Sequence, residues 1–174
     1  MIQFVTNQYR IIFSCILLVC IIIACKKAPD FSNTPSIKYL DITTNTYFNE
    51  DLQVSADSVV IGITMQDGNG DVGVPKDERA DENIDYFVDL YRQTNGIFLP
   101  VVLVGVTYNG HLPLLSPVST PGPIEGKIYY KMIFSYSFSQ VQNDTLKFIV
   151  KIKDREGNVS NSVETKPVII RKTP

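Results

Sequence analysis

The sequence predicts an all-β protein whose main domain is an antiparallel β-sandwich of about seven strands. Apolar and polar residues alternate with a period of two in several segments, and no segment has the periodicity of an amphipathic helix. Turn-forming residues separate the alternating segments. One apolar face and one largely polar face are what a half-buried antiparallel strand requires. A closed barrel is the alternative, because alternation alone does not distinguish it from a sandwich.

The predicted strands follow one another with turn signals between them. They are expected at residues 36–43, 59–66, 84–90, 97–108, 128–138, 146–153 and 163–171. The dipeptide Asn95-Gly96, between the third and fourth segments, is typical of a two-residue hairpin turn. Gly157-Asn158 separates the last two segments, so a second turn is predicted there.

The composition is that of an ordinary globular domain and argues against several classes of function. The chain has 174 residues, of which 44% are hydrophobic and 20% are charged. With 16 basic and 18 acidic residues there is no excess of positive charge, so no nucleic-acid binding is expected. The sequence contains no tryptophan, a single histidine (His111), and no nucleophile elbow or phosphate loop. We therefore expect a protein that is not an enzyme.

An uncharged apolar run occupies the N-terminal region. Residues 11–24 read IIFSCILLVCIIIA, and these 14 residues are too few to span a bilayer comfortably as a helix. The run matches the apolar part of a secretory signal, and an uncleaved N-terminal anchor is the alternative. It ends in Ile22-Ile23-Ala24-Cys25, which resembles the lipobox of bacterial lipoproteins. The resemblance implies that residues 1–24 are a signal peptide and that Cys25 carries a covalent lipid.

The residues after the signal predict a short tether and a location in the cell envelope. Residues 25–35 contain two prolines and small polar residues without periodicity, and residues 36–174 form the predicted sandwich domain. The other two cysteines would be lost with the signal, so the mature chain would contain no disulfide. Lys26 stands where an aspartate would indicate retention at the inner membrane, by analogy with lipoprotein sorting. We therefore expect an outer-membrane lipoprotein, on either the periplasmic or the surface face.

The C-terminal segment resembles a known type of module. Residues 146–170 read LKFIVKIKDREGNVSNSVETKPVII, which is an alternating strand, an Asp-x-x-Gly-Asn turn and a second strand. This pattern looks like the final hairpin of bacterial immunoglobulin-like or fibronectin-III-like modules. Together with the DGNGDVG stretch at residues 67–73, it resembles small bacterial outer-membrane lipoproteins with a DGDGD-type loop, from which Asn69 departs. The resemblance implies an immunoglobulin-like sandwich and no particular function.

The DGNGDVG stretch is also a candidate calcium site. Asp67, Asn69 and Asp71 place side-chain oxygens at alternate positions with glycines between them, so a tight loop can direct them to one point. The backbone near Gly73 is a further candidate ligand. Residues 67–85 contain seven acids and two bases, a local charge of −5, and clustering these charges without a counter-ion costs repulsion. The alternative is a solvated acidic connection that binds nothing.

Glu78 and Asp154 are the other two predicted ligands. Glu78 is twelfth when Asp67 is counted as first, which is the position of the bidentate glutamate in an EF-hand loop. The loop is not an EF-hand, because Val72 occupies the position that requires glycine and strands flank the loop. In immunoglobulin-like sandwiches, the connection between strands two and three lies at the same end as the last connection, which contains Asp154. Asp154 is therefore expected to complete the site, or alternatively only to form a turn with Asn158.

Two features favour binding to a partner, which the sequence does not identify as protein or glycan. The Pro-rich segment 109–126 is long for a connection, although its leucines would alternatively pack on the sandwich. Tyr91, Tyr108 and Tyr129 offer stacking faces for sugars, unless they pack within the fold. We expect a non-catalytic, lipid-anchored binding or structural module of the cell envelope, with calcium as its candidate cofactor. A glycan-binding lipoprotein of an outer-membrane uptake system is the alternative.

Overall fold

Two antiparallel β-sheets pack face to face, which confirms the predicted all-β sandwich. The computed structural model describes residues 29–50, 53–80, 83–117, 120–135, 138 and 143–171. The first sheet has the strand order β1-β2-β5 and consists of β1 (Ser36–Asn49), β2 (Val54–Asp67) and β5 (Ile124–Ser135). The second sheet consists of β3 (Tyr86–Thr94), β4 (Ile97–Pro100), β6 (Asp144–Ile152), β7 (Val163–Glu164) and β8 (Val168–Ile170). Its central strand β6 pairs with β3, β7 and β8, and β3 also pairs with β4.

The chain passes repeatedly from one sheet to the other. It does so between β2 and β3, between β4 and β5, and between β5 and β6. Immunoglobulin-like sandwiches divide their strands between two sheets in the same alternating way. As a consequence, the connections that follow β2 and β6 lie at the same end of the sandwich, where Val72 and Asp154 form an isolated antiparallel β-bridge. This end carries the candidate site.

The core lies between the inward faces of β2 and β5 on one side and those of β3 and β6 on the other. Buried and half-buried residues alternate strictly along β6, because every second side chain points between the sheets. The buried apolar residues of these four strands include Val59, Ile61, Ile63, Met65, Tyr86, Leu90, Ile128, Met132, Phe134, Leu146, Phe148, Val150 and Ile152. The ring of Phe134 lies 4.5 Å from that of Tyr108 and 4.8 Å from that of Phe138, measured between centroids. Burial of this apolar surface is the main favourable contribution to the stability of the domain.

Strands β1 and β2 are longer than the sequence predicts. Both have 14 residues, and their pairing extends from Ser36 opposite Gln66 to Asn49 opposite Val54. The additional residues are mostly polar and lie outside the alternating apolar segments. The hydrophobic pattern does not reveal them, because the buried residues among them, Ala56, Asp57 and Ser58, are small or polar.

The predicted hairpin at Asn95-Gly96 is confirmed, whereas the strand that follows it is shorter than predicted. Both turn residues have positive φ, 52° and 81°, as a two-residue type I′ turn requires. The prediction of a strand up to residue 108 is wrong, because β4 ends at Pro100, which has no backbone N–H. The chain rejoins the edge of β3 at Gly110, which exchanges two backbone hydrogen bonds with Tyr86 at 2.9 and 3.0 Å.

The predicted last strand, residues 163–171, is divided into β7 and β8. Pro167 stands between the two short strands and has no N–H for the ladder. Beside it, the Thr165 amide donates to the Phe148 carbonyl at 2.9 Å, and the Thr165 hydroxyl accepts from the Phe148 amide at 3.1 Å. A hydroxyl therefore takes the place of a backbone carbonyl where the strand is interrupted.

The Pro-rich segment 109–126 packs on the sandwich in part. Leu112 is fully buried, and its amide donates a hydrogen bond to Asp85 Oδ1 at 2.6 Å. Leu115 stays partly exposed, and β5 already begins at Ile124. Leu112 thus belongs to the core rather than to a free binding loop.

Replacing Phe134 by alanine should lower the free energy of unfolding by about 3–5 kcal/mol, because it leaves a cavity between the sheets. The control is Ile133→Ala on the outward face of the same strand, where the residue is 51% exposed. That change should alter stability by no more than about 0.5 kcal/mol. Urea denaturation followed by circular dichroism measures both, and equal losses would contradict the inward assignment of Phe134.

Candidate metal centre

Three buried carboxylates meet where β2 and β6 leave the core. Asp67 continues the inward-facing row of β2 after Met65, and Asp154 continues the inward-facing row of β6 after Ile152. Period-two alternation therefore turns both side chains toward the interior. Asp71 joins them from the loop after β2. Among the residues that the structure describes, each of the three offers a carboxylate oxygen within 4.8 Å of the other two.

Hydrogen bonds fix the loop after β2 to the turn after β6. The Asp71 carbonyl accepts from the Arg155 amide at 3.2 Å, and Asp71 Oδ2 accepts from the Glu156 amide at 3.2 Å. The Arg155 guanidinium donates to the Gly73 carbonyl at 2.9 Å. The predicted meeting of these two connections at one end of the sandwich is therefore confirmed.

The loop leaves several oxygens without a hydrogen-bond donor. Asp67 Oδ2 accepts from the amides of Gly70 at 2.7 Å and Asp71 at 3.1 Å, as in an Asx-type turn. In contrast, the Oδ1 atoms of Asp67, Asn69 and Asp71 are buried and accept no hydrogen bond. A buried polar group left unsatisfied costs about 1–3 kcal/mol. Three such oxygens in one short loop, beside Asp154, are a donor set suited to a hard cation.

Burial and mutual repulsion raise the pKa values of two carboxylates of the triad, although the charge of Arg155 lowers that of Asp71. Burial raises the pKa of Asp67 above its ordinary value of 3.8, and the nearby charges of Asp71 and Asp154 raise it further. Burial likewise raises the pKa of Asp71, and the charge of Asp154 acts in the same direction. Hydrogen bonds from backbone amides offset only part of this effect. A divalent cation at this point would favour the ionised form of all three carboxylates.

Asp154 has both of the roles that the sequence left open. It is a member of the triad, and it also forms the turn after β6. Its Oδ1 accepts from the Asn158 amide at 2.7 Å, and its Oδ2 accepts from Asn158 Nδ2 at 2.9 Å. The turn therefore holds the carboxylate in a fixed orientation beside Asp67 and Asp71.

Gly73 and Glu78, the remaining predicted ligands, lie outside the triad. The Gly73 carbonyl is occupied by the Arg155 guanidinium, and the φ of +87° at Gly73 is the left-handed conformation that favours glycine. Glu78 is exposed at the end of a short 3-10 helix, Lys76–Glu78. An EF-hand loop would bend back to bring its twelfth residue to the ion, whereas here isolated β-bridges extend the backbone after Asp71.

Asp85 is a buried carboxyl group that the sequence pattern assigns incorrectly to the polar face of the third strand. The strand begins one residue later, at Tyr86, and Asp85 is only 2% exposed beneath the segment that contains Leu112. Its Oδ2 accepts no hydrogen bond, and the Tyr86 hydroxyl is also buried without a partner. Burial raises the pKa of Asp85 to about 6. No signal in the sequence distinguishes Asp85 from the exposed acids around it, because its burial depends on Leu112, 27 residues away.

Comparison of the chain with protein-family models, with curated proteins and with solved structures finds no match. Within the described part of the chain, no helix is long and apolar enough to cross a membrane. The predicted signal peptide and the predicted lipidation site at Cys25 lie outside the described residues. The candidate metal centre is therefore supported by the geometry and electrostatics of the Asp67 loop itself.

Replacing Asp85 by asparagine should flatten the pH dependence of stability between pH 7.5 and 5. Because the folded-state pKa of about 6 lies above the ordinary 3.8, the folded state binds the proton more tightly. Asp85 therefore lowers stability above pH 6, and the native protein gains about 1 kcal/mol from this group as the pH falls to 5. Urea denaturation in chelator, with the exposed Asp89→Asn as control, measures the difference. An equal pH slope in the native protein and Asp85→Asn would contradict this assignment.

Proposed function

We propose that this chain is a non-catalytic, lipid-anchored binding or structural module of the cell envelope, stabilised by a calcium ion. The single observation that carries the calcium assignment is the set of buried oxygens on Asp67, Asn69 and Asp71 that accept no hydrogen bond. The lipid anchor is supported by the lipobox-like sequence that ends at Cys25. The outer membrane remains the predicted location.

Calcium suits this donor set better than other common metals. Ca²⁺ takes six to eight oxygen ligands in a flexible arrangement, and the site offers three buried carboxylates, with the unpaired amide oxygen of Asn69 in the same loop. Mg²⁺ demands a smaller, near-ideal octahedron and gives up its water reluctantly. Zn²⁺ prefers cysteine and histidine, and neither residue type belongs to the triad.

The ion would join two connections that otherwise depend on a few backbone contacts. Asp67 and Asp71 come from the loop after β2, whereas Asp154 comes from the turn after β6, so one cation would link the two sheets. An exported domain without disulfides benefits from such a link, because its stability otherwise rests on its apolar core. We therefore assign the ion a structural role and no role in catalysis.

Calcium should raise the melting temperature of the mature chain, tested from residue 25 with Cys25→Ser. At a free concentration of about a hundred times Kd the gain is about 2.7 kcal/mol, because the ion binds only the folded state. For a domain of this size that corresponds to roughly 5–10 °C. Sites of extracellular type bind in the range of about 0.1–1 mM, so the comparison is tens of millimolar calcium against chelator. Magnesium should have a smaller effect.

Asp71→Ala should abolish the calcium effect while leaving the stability in chelator nearly unchanged, because the repulsion that it removes from the triad offsets the lost hydrogen bond from the Glu156 amide. Asp77→Ala removes an exposed acid from the same acidic segment and should retain the full shift. Glu78→Ala should also retain the shift, since Glu78 lies outside the triad. Equal melting temperatures of the native sequence in chelator and in excess calcium would contradict the calcium assignment.

Cys25→Ala should release the protein from membranes or leave an uncleaved precursor in cells. The physical reason is that acylation at this thiol supplies the anchor, and two or three acyl chains hold a protein far more firmly than one. Metabolic labelling with a radioactive fatty acid, followed by membrane fractionation, measures both effects. Absence of label from the native protein would contradict the lipoprotein assignment.

Glycan binding is the second candidate function, and the position of Tyr129 favours it. Tyr129 is 56% exposed on the outward face of β5, where its ring lies against Gly62 beside Asp41. An exposed ring next to a carboxylate combines a stacking surface with a hydrogen-bond acceptor. Tyr108 instead packs on Phe134 at 4.5 Å, and Tyr91 lies beneath the ammonium group of Lys147 at 5.7 Å.

If the module binds glycans through this face, Tyr129→Ala should weaken its retention on immobilised polysaccharides by up to about tenfold. The reason is that one stacked ring contributes up to about 1.5 kcal/mol. Ile133→Ala is the matched control, since Ile133 lies on the same face of the same strand with similar exposure. Failure of the native protein to bind any of a panel of neutral and acidic polysaccharides would eliminate this second candidate.

A further inference from the structure

The segment that leads from the predicted lipid anchor into the sandwich packs directly on the loop of the metal centre. Gly68 stands between Asp67 and Asn69, and its amide donates to the Ser32 carbonyl at 2.8 Å. A Cβ atom at Gly68 would lie 2.8 Å from Asn33 Oδ1, 2.9 Å from the Ser32 carbonyl carbon, and even closer to the Phe31 carbonyl oxygen. The glycine is therefore needed for residues 31–33, the tether segment, to pass over the loop.

The sandwich also holds the chain after this point, independently of the metal loop. Pro35 is buried, and Ile37 exchanges two hydrogen bonds with the Asn161 side chain, both at 2.9 Å. These contacts belong to β1 and to the segment before β7, and they do not involve the metal centre. Loss of the Gly68 contact would therefore expose the half-buried Phe31 and leave the start of β1 in place.

We infer that the cation controls whether the tether segment is docked on the sandwich, a conclusion that rests on the calcium site proposed above. With the ion bound, the loop from Asp67 to Asp71 is held in the conformation that directs the Gly68 amide at Ser32. Without the ion, the carboxylates within 4.8 Å of one another repel, and Asp154 is fixed by its turn with Asn158. The loop after β2, which the longer hydrogen bonds from the Arg155 and Glu156 amides hold at 3.2 Å, is then the part that moves, and the tether segment is released with it.

The consequence is a change in how far the domain can stand from the membrane. With the tether segment docked, only residues 25–30 separate the lipid from the sandwich, and at about 3.5 Å per residue they reach roughly 20 Å. With it released, residues 25–35 reach roughly 40 Å. Calcium thus sets the reach of the anchored domain, and by linkage the docked tether raises the affinity for calcium by the same factor.

Chymotrypsin cleavage after Phe31 tests the inference on the mature chain from residue 25 with Cys25→Ser. Calcium at tens of millimolar should slow this cleavage at least tenfold relative to chelator, with rates normalised to a free peptide of residues 26–36. The Gly68→Ala variant should be cleaved, in calcium and in chelator alike, at the rate that the native sequence shows in chelator. Gly126→Ala is the matched control, because a Cβ at Gly126 on β5 meets open space, and it should behave like the native sequence.

Hydrogen exchange at the Gly68 amide in the native sequence gives a second readout that does not depend on a variant that folds. The exchange should be at least tenfold slower in calcium than in chelator. A rise in melting temperature with calcium, together with unchanged cleavage and exchange, would overturn the tether inference and leave the metal site intact. No change in any of the three measurements would overturn both. Protection of Gly68→Ala by calcium at the native level would also overturn the inference.

Discussion

The candidate site depends on one constraint, which is that strands β2 and β6 face each other across the core. The inward rows of these strands, from Val59 to Met65 and from Leu146 to Ile152, exclude water between the two sheets. Both strands reach the same end of the sandwich, and in both the next inward position is an aspartate. The apolar packing that stabilises the domain therefore also forces two carboxylates out of water and toward each other.

The same burial has different consequences at the triad and at Asp85. Asp85 is a single carboxyl group, so it can relieve the cost of burial by taking up a proton. Its raised pKa of about 6 reflects this. The triad contains three acids at short distance, and each of them also uses one oxygen to hold a backbone amide. A cation would satisfy all three at once.

Glycines allow several connections to converge on the triad. Gly68 lets residues 31–33 pass over the loop, and Gly73 lets the backbone at Pro113 approach, where any side chain would collide. The Gly122 amide donates to the Asn69 carbonyl at 3.1 Å, which adds the segment before β5. The loop after β2 therefore fixes three other parts of the chain: the tether segment, the Pro-rich segment 109–126 and the turn after β6. A change in this loop would be transmitted to each of them.

Local patterns were sufficient for the fold class, for the hairpin at Asn95-Gly96 and for the acidic loop as a candidate cation site. Alternation, turn chemistry and charge are properties of neighbouring residues, so a sequence contains them directly. Segments distant in the chain determined three other features: the ends of strands such as β4, the burial of Asp85 and the exclusion of Glu78 from the triad. Only the packing of the two sheets decided which acids share one point, because burial and distance between side chains are set by the tertiary structure and not by spacing along the chain.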